Sequence, residues 1–104
     1  MEKGENHENC PVAKALEILG GKHTFLIVRD LLEAPKRYGE LLTSIGEIST
    51  KTLAERLIFL EKEGIITKKT FQEMPPHVEY RLTKKGEGLG DIVAALKKWG
   101  AEKY

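Results

Sequence analysis

Apolar residues recur at helical spacing from Val12 to Leu60, and the pattern changes to alternation beyond Gly64. Pro11 can open a helix, because its missing N–H would have no partner at that position. Val12, Ala15, Leu16 and Leu19 then follow an amphipathic spacing that Gly20-Gly21 ends. From Lys22 to Glu33, Phe25, Leu26, Ile27, Val28, Leu31 and Leu32 cover more than one face, as in a central core helix. Ala34-Pro35 stops it, since proline disfavours helix in the preceding residue. Tyr38 to Ile45 reads as a short helix with Tyr38, Leu41, Leu42 and Ile45 on one side. After Gly46-Glu47-Ile48, Ser49 is suited to cap a helix from Thr50 to Glu63, with Gly64 as its stop. Leu53, Leu57 and Leu60 would face the core, leaving Thr50, Lys51, Thr52, Glu55 and Arg56 mostly outside.

Ile65 to Phe71 and Val78 to Leu82 are short β-branched or aromatic stretches, and Gln72 to His77, with Pro75-Pro76, is the loop between them. Thr83 can cap a last helix, weakened at its start by Gly86, Gly88 and Gly90, in which Leu89, Ile92, Val93, Leu96 and Trp99 form an apolar stripe. Two helices joined by a tight turn and followed by a projecting hairpin make a helix–turn–helix with a wing. The expected fold is therefore mainly α with a small β-hairpin (α+β), a winged helix–turn–helix. Residues 1–9, polar and aperiodic, are expected to be a flexible arm, and 10–104 the single domain.

Composition narrows the function classes. Hydrophobic residues at 40% and charged residues at 32% suit a globular chain rather than a disordered one. A single cysteine cannot close an intramolecular disulfide, and Met1 to Cys10 has no apolar segment, so the expected location is cytoplasmic. The net charge of +1 is not the strongly basic balance of many nucleic-acid binders, and residues 36–69 hold seven Lys or Arg against five Glu. Charge alone would not lead to DNA; arrangement does. His7 and Cys10 are three apart, but His23 and His77 are distant and complete no metal set, so neither metal nor cofactor is expected. Gly20-Gly21-Lys22 lacks the spacing of a phosphate loop and no catalytic motif is present, so the chain does not read as an enzyme.

A helix whose first turns project small polar and basic side chains fits the major groove of double-stranded DNA. Lys51 is the candidate for guanine; Thr50 and Thr52 can hydrogen-bond a base or meet a thymine methyl; Ser49 and the helix N-terminus can hold a phosphate. Arg56 would reach a base or a phosphate, and Lys36, Arg37, Lys68, Lys69, His77 and Arg81 would flank the helix as phosphate contacts. The competing reading is a winged-helix protein-interaction module. Such a module would present aromatic or aliphatic anchors on this face, and Ile58 and Phe59 come closest.

Cys10-Pro11-Val12, Gly20-Gly21-Lys22, Arg37-Tyr38-Gly39-Glu40-Leu41, Ile48-Ser49, Leu53, Arg56-Leu57, Leu60-Glu61, Gly64-Ile65, Pro75-Pro76, Val78-Glu79-Tyr80-Arg81-Leu82-Thr83 and Gly86 occur in an order that resembles the HxlR family of transcription regulators. The resemblance runs from about Cys10 to Gly100. It implies a homodimer, held through the first and last helices, that represses or activates at a two-fold symmetric operator. Val12 and Leu16, with the stripe of Leu89, Ile92, Val93, Leu96 and Trp99, are then the candidate dimer interface, and the stripe is expected to serve the chain's own core as well. Some members sense oxidants through a cysteine at the place of Cys10, and a thiol near a helix N-terminus is physically suited to it, which makes Cys10 the candidate redox residue. No effector is legible. His23 departs from the family's usual tryptophan.

Overall fold

The computed structural model describes residues 10–104; the expected arm 1–9, with His7, lies outside them. In chain order come α1 (Pro11–Leu19), α2 (Lys22–Glu33), β1 (Lys36–Arg37), α3 (Tyr38–Ile45), α4 (Thr50–Lys62), β2 (Ile66–Phe71), β3 (His77–Leu82), α5 (Lys84–Glu87) and α6 (Gly90–Lys103). The strands form one antiparallel sheet in the order β1-β3-β2.

The apolar faces meet where the periodicity places them. Ile27, Val28 and Leu31 of α2, Leu41 of α3 and Leu53, Leu57 and Leu60 of α4 close a core with Ile65 and Ile66 at the entry to the hairpin. In β3, Tyr80 and Leu82 pack on this core, so His77, Glu79 and Arg81 lie on the other face of the sheet. Only the first residue of β2 is buried, and Thr67 to Thr70 are exposed, so the hairpin leaves the core almost at once. That geometry makes it a wing.

The structure adds detail that periodicity does not carry. Lys36 and Arg37, to which the sequence pattern assigns no element, form a strand paired with Tyr80 and Glu79, making the sheet three-stranded. The wing loop is one residue shorter than expected, because His77 pairs with Phe71. The long helix ends at Lys62, with Glu63 as its C-cap and Gly64 at φ 77°, a left-handed conformation that glycine adopts without strain. The last helix is divided in two. Thr83 caps only α5, its hydroxyl accepting from the Gly86 N–H at 3.1 Å and donating to the Gly64 carbonyl. Gly86 packs so closely on the residue preceding β2 that a Cβ there would collide with the Ile65 carbonyl oxygen.

The candidate dimer residues separate into two groups. Leu89 and Val93 pack against the core of their own chain. Val12 and Leu16 of α1 and Ile92, Leu96 and Trp99 of α6 are 42–67% exposed, and α6 buries no residue. Among the described residues, no helix is long and apolar enough to cross a membrane.

Candidate nucleic-acid interface

The presentation of α4 is set at its N-terminus. Ser49 takes an extended conformation, and its hydroxyl accepts from the Thr52 N–H at 3.0 Å while donating to the Thr52 hydroxyl at 2.9 Å. One orphan N–H of the first turn is thereby satisfied, and the others remain directed out of the helix end. The Tyr38 hydroxyl at the start of α3 donates to the Thr50 carbonyl at 2.7 Å, tying the two helices together where α4 begins. His23 places its Nε2 3.3 Å from the Glu47 carbonyl in the intervening turn. Gly46 turns the chain with φ 82°. These two ties are the positioning contacts that sequence reading missed; both link residues distant in sequence.

Along α4 the exposed stripe is Lys51, Glu55, Ile58 and Lys62, at i, i+4, i+7 and i+11. Thr50 is also exposed, while Thr52 is half-buried and hydrogen-bonded to Ser49. Arg56 does not extend outward. Its guanidinium donates to the Thr24 hydroxyl at 3.4 Å and lies over the Phe59 ring, 5.3 Å from the centroid. Its charge stays beside α2, so Arg56 braces the back of α4.

The flanking basic residues divide in the same way. Lys36 is hydrogen-bonded to Glu33 at 2.9 Å, and that bond holds its ammonium above the usual lysine value. Arg81 lies 3.4 Å from Glu79, and its buried Nε has no partner among the described residues. His77 stacks on Phe71 with ring centroids 4.7 Å apart, and its two nitrogens stand 3.7 Å from Glu73 and 3.5 Å from Glu79. A histidine between two carboxylates is poorly placed to approach a phosphate. Arg37, Lys68 and Lys69 remain exposed. The last two are neighbours on a strand and so point to opposite faces. Lys68 stands opposite Tyr80, on the face continuous with the core, whereas Lys69 stands opposite Glu79 with its ammonium 5.1 Å from the Phe71 centroid.

Cys10 is half-buried at the N-cap of α1, with extended backbone and a free thiol. Among the described residues no group of three or more His, Cys, Asp or Glu is placed to hold a metal ion.

The arrangement has counterparts in known proteins. The family model for HxlR-like helix-turn-helix proteins matches residues 18–104. The HTH-type transcriptional regulator sll1512 of Synechocystis sp. is 38% identical over 93 residues, covering 89% of this chain and 69% of the relative. A crystal structure described as a transcriptional regulator of the MarR family from Porphyromonas gingivalis W83 superposes with a TM-score of 0.88 at 43% identity. It covers 93% of this chain and 95% of that one. The redox regulator HypR in its oxidised form gives a TM-score of 0.87 at 33% identity, over 91% of this chain and 98% of that chain.

Proposed function

The chain belongs to the HxlR-like helix–turn–helix family and is a DNA-binding transcription regulator, and from that premise we propose that it acts in the cytoplasm as a homodimer on a two-fold symmetric operator. The family and its neighbours are regulators, and the chain is not an enzyme. In this reading residues 10–104 are the functional domain, α4 enters the major groove and the wing follows the backbone beside it. Thr50 and Lys51 meet base edges, and Ser49 with the open end of α4 takes a phosphate. Arg37 and Lys68 supply phosphate contacts, with Lys69 on the outer side of the wing. Arg56, Lys36, His77 and Arg81 stay against groups of their own chain and contribute by holding the frame.

The observation that carries the dimer is the exposure of Val12, Leu16, Ile92, Leu96 and Trp99 on the first and last helices. Large apolar side chains exposed along two helices mark an interaction surface, and a second copy of the chain would bring a matching one. Selection of bound sequences from random duplex DNA tests the reading. The expected product is an inverted repeat with half-sites about one helical turn apart, or multiples of it, bound with steep salt dependence. Enrichment of no sequence would favour a protein-interaction module instead.

A second reading, control of this binding by oxidation, is favoured by the position of Cys10 and by the similarity to HypR. With one cysteine per chain, oxidation would join two subunits or add a small thiol. A mild oxidant is expected to change DNA affinity in the wild type and not in Cys10→Ser. An effect that persists in the variant would exclude Cys10.

A further inference from the structure

On the exposed stripe of α4, Glu55 is the sixth residue of the helix and lies one turn beyond Lys51. Both side chains are exposed, and among the described residues neither takes part in an ion pair. The order of the two charges explains part of this, because a basic residue preceding an acidic one by four is the weaker orientation for a helical pair. Thr52, Ala54, Arg56 and Phe59 are at least half-buried. Any object that α4 touches between its N-terminus and Ile58 therefore meets Glu55 directly.

A carboxylate facing duplex DNA is repelled by phosphates, so it weakens binding to every sequence unless a particular base repays it. Glutamate only accepts hydrogen bonds when ionised. In the major groove the donors are the amino groups of cytosine (N4) and adenine (N6), and adenine sets its N7 acceptor beside the amino group, where it would repel a carboxylate. Cytosine is thus the partner that Glu55 suits best. Four residues of helix advance about 6 Å, close to two base-pair steps of roughly 3.4 Å each. A guanine read by Lys51 and a cytosine read by Glu55 would then stand about two base pairs apart in one half-site.

We propose that Glu55 is a specificity-determining residue that selects cytosine in each half-site and disfavours sites lacking it. The proposal rests on the placement of α4 in the major groove. The exposed position means that variants keep the fold.

The test is sequence selection from random duplex DNA with the wild type, Glu55→Gln, Glu55→Ala and Lys51→Ala in parallel. The wild type is expected to enrich a cytosine that Glu55→Ala leaves undetermined, losing roughly 5- to 100-fold of discrimination there. Glu55→Gln should move the preference to adenine, because an amide can both donate and accept. An unchanged motif in both Glu55 variants overturns the proposal, whether binding is unaltered or uniformly tighter through relief of repulsion. Lys51→Ala separates the two levels. If it relaxes a nearby position while the Glu55 variants change nothing, only the role of Glu55 falls; if it too leaves the motif intact, the placement of α4 falls with it.

Discussion

α4 and α6 are almost equal in length, 13 and 14 residues, and both carry apolar residues at helical spacing, yet α4 buries Leu53, Leu57 and Leu60 whereas α6 buries none. Little in the two helices themselves accounts for this. α4 packs against both α2 and β2, so its leucines are enclosed from two directions. α6 packs mainly along α2, and Val93 is covered while Ile92, Leu96 and Trp99 stay outward. The N-termini differ as well: Ser49 caps α4 with its side chain, while α6 follows Leu89 with no side-chain cap. An amphipathic pattern states that a face wants cover, and only the neighbours decide whether the same chain provides it.

Removing a side chain from the enclosed helix is expected to have the largest effect. Leu53 is completely buried in the shared core, and Leu53→Ala would leave a cavity there. The expected loss is about 2–5 kcal/mol of unfolding free energy, the usual range for such a truncation in a packed core. Urea unfolding at fixed protein concentration measures it. A loss below about 1 kcal/mol would mean that the site collapses without strain, and that α4 is less enclosed than its contacts indicate.

The same contrast explains what could be read before the structure. Local signals placed α2, α3 and the start of α4, because proline, glycine and the Ser49 cap act within a few residues of themselves. β1 escaped, since two residues cannot show alternation and Lys36-Arg37 is a strand only through its pairing with β3. The division between α5 and α6 escaped for a related reason: Gly86 is required by the approach of the Ile65 carbonyl, which is 21 positions away. At the candidate interface the chemistry of the exposed face was legible, but the partners were not. Lys36 and Arg81 are paired with acidic residues close in sequence, yet nothing in the pattern says which of the available carboxylates a cation will choose. Arg56 bonds to Thr24 and His23 to Glu47 across separations that no periodicity reports.

The smaller effect on the protomer, and the more informative about assembly, is expected from α6. Leu96 is half-exposed and closes no core, so Leu96→Glu should change protomer stability by no more than about 0.5 kcal/mol. At a contact between two copies the same carboxylate would lose its hydration with no partner, and breaking a contact in this way is strongly unfavourable. Sedimentation should show a dimer for the wild type and a monomer of native helicity for the variant. The melting temperature should rise with protein concentration only in the wild type, because association stabilises the folded state by mass action. Affinity for an inverted repeat should fall in the variant toward that for a single half-site, since two tethered binding events become one. A variant that stays dimeric would assign the contact to another face. The exposed leucine of α6 would then need a different cover, and the contrast with α4 would no longer separate what one chain encloses from what two enclose together.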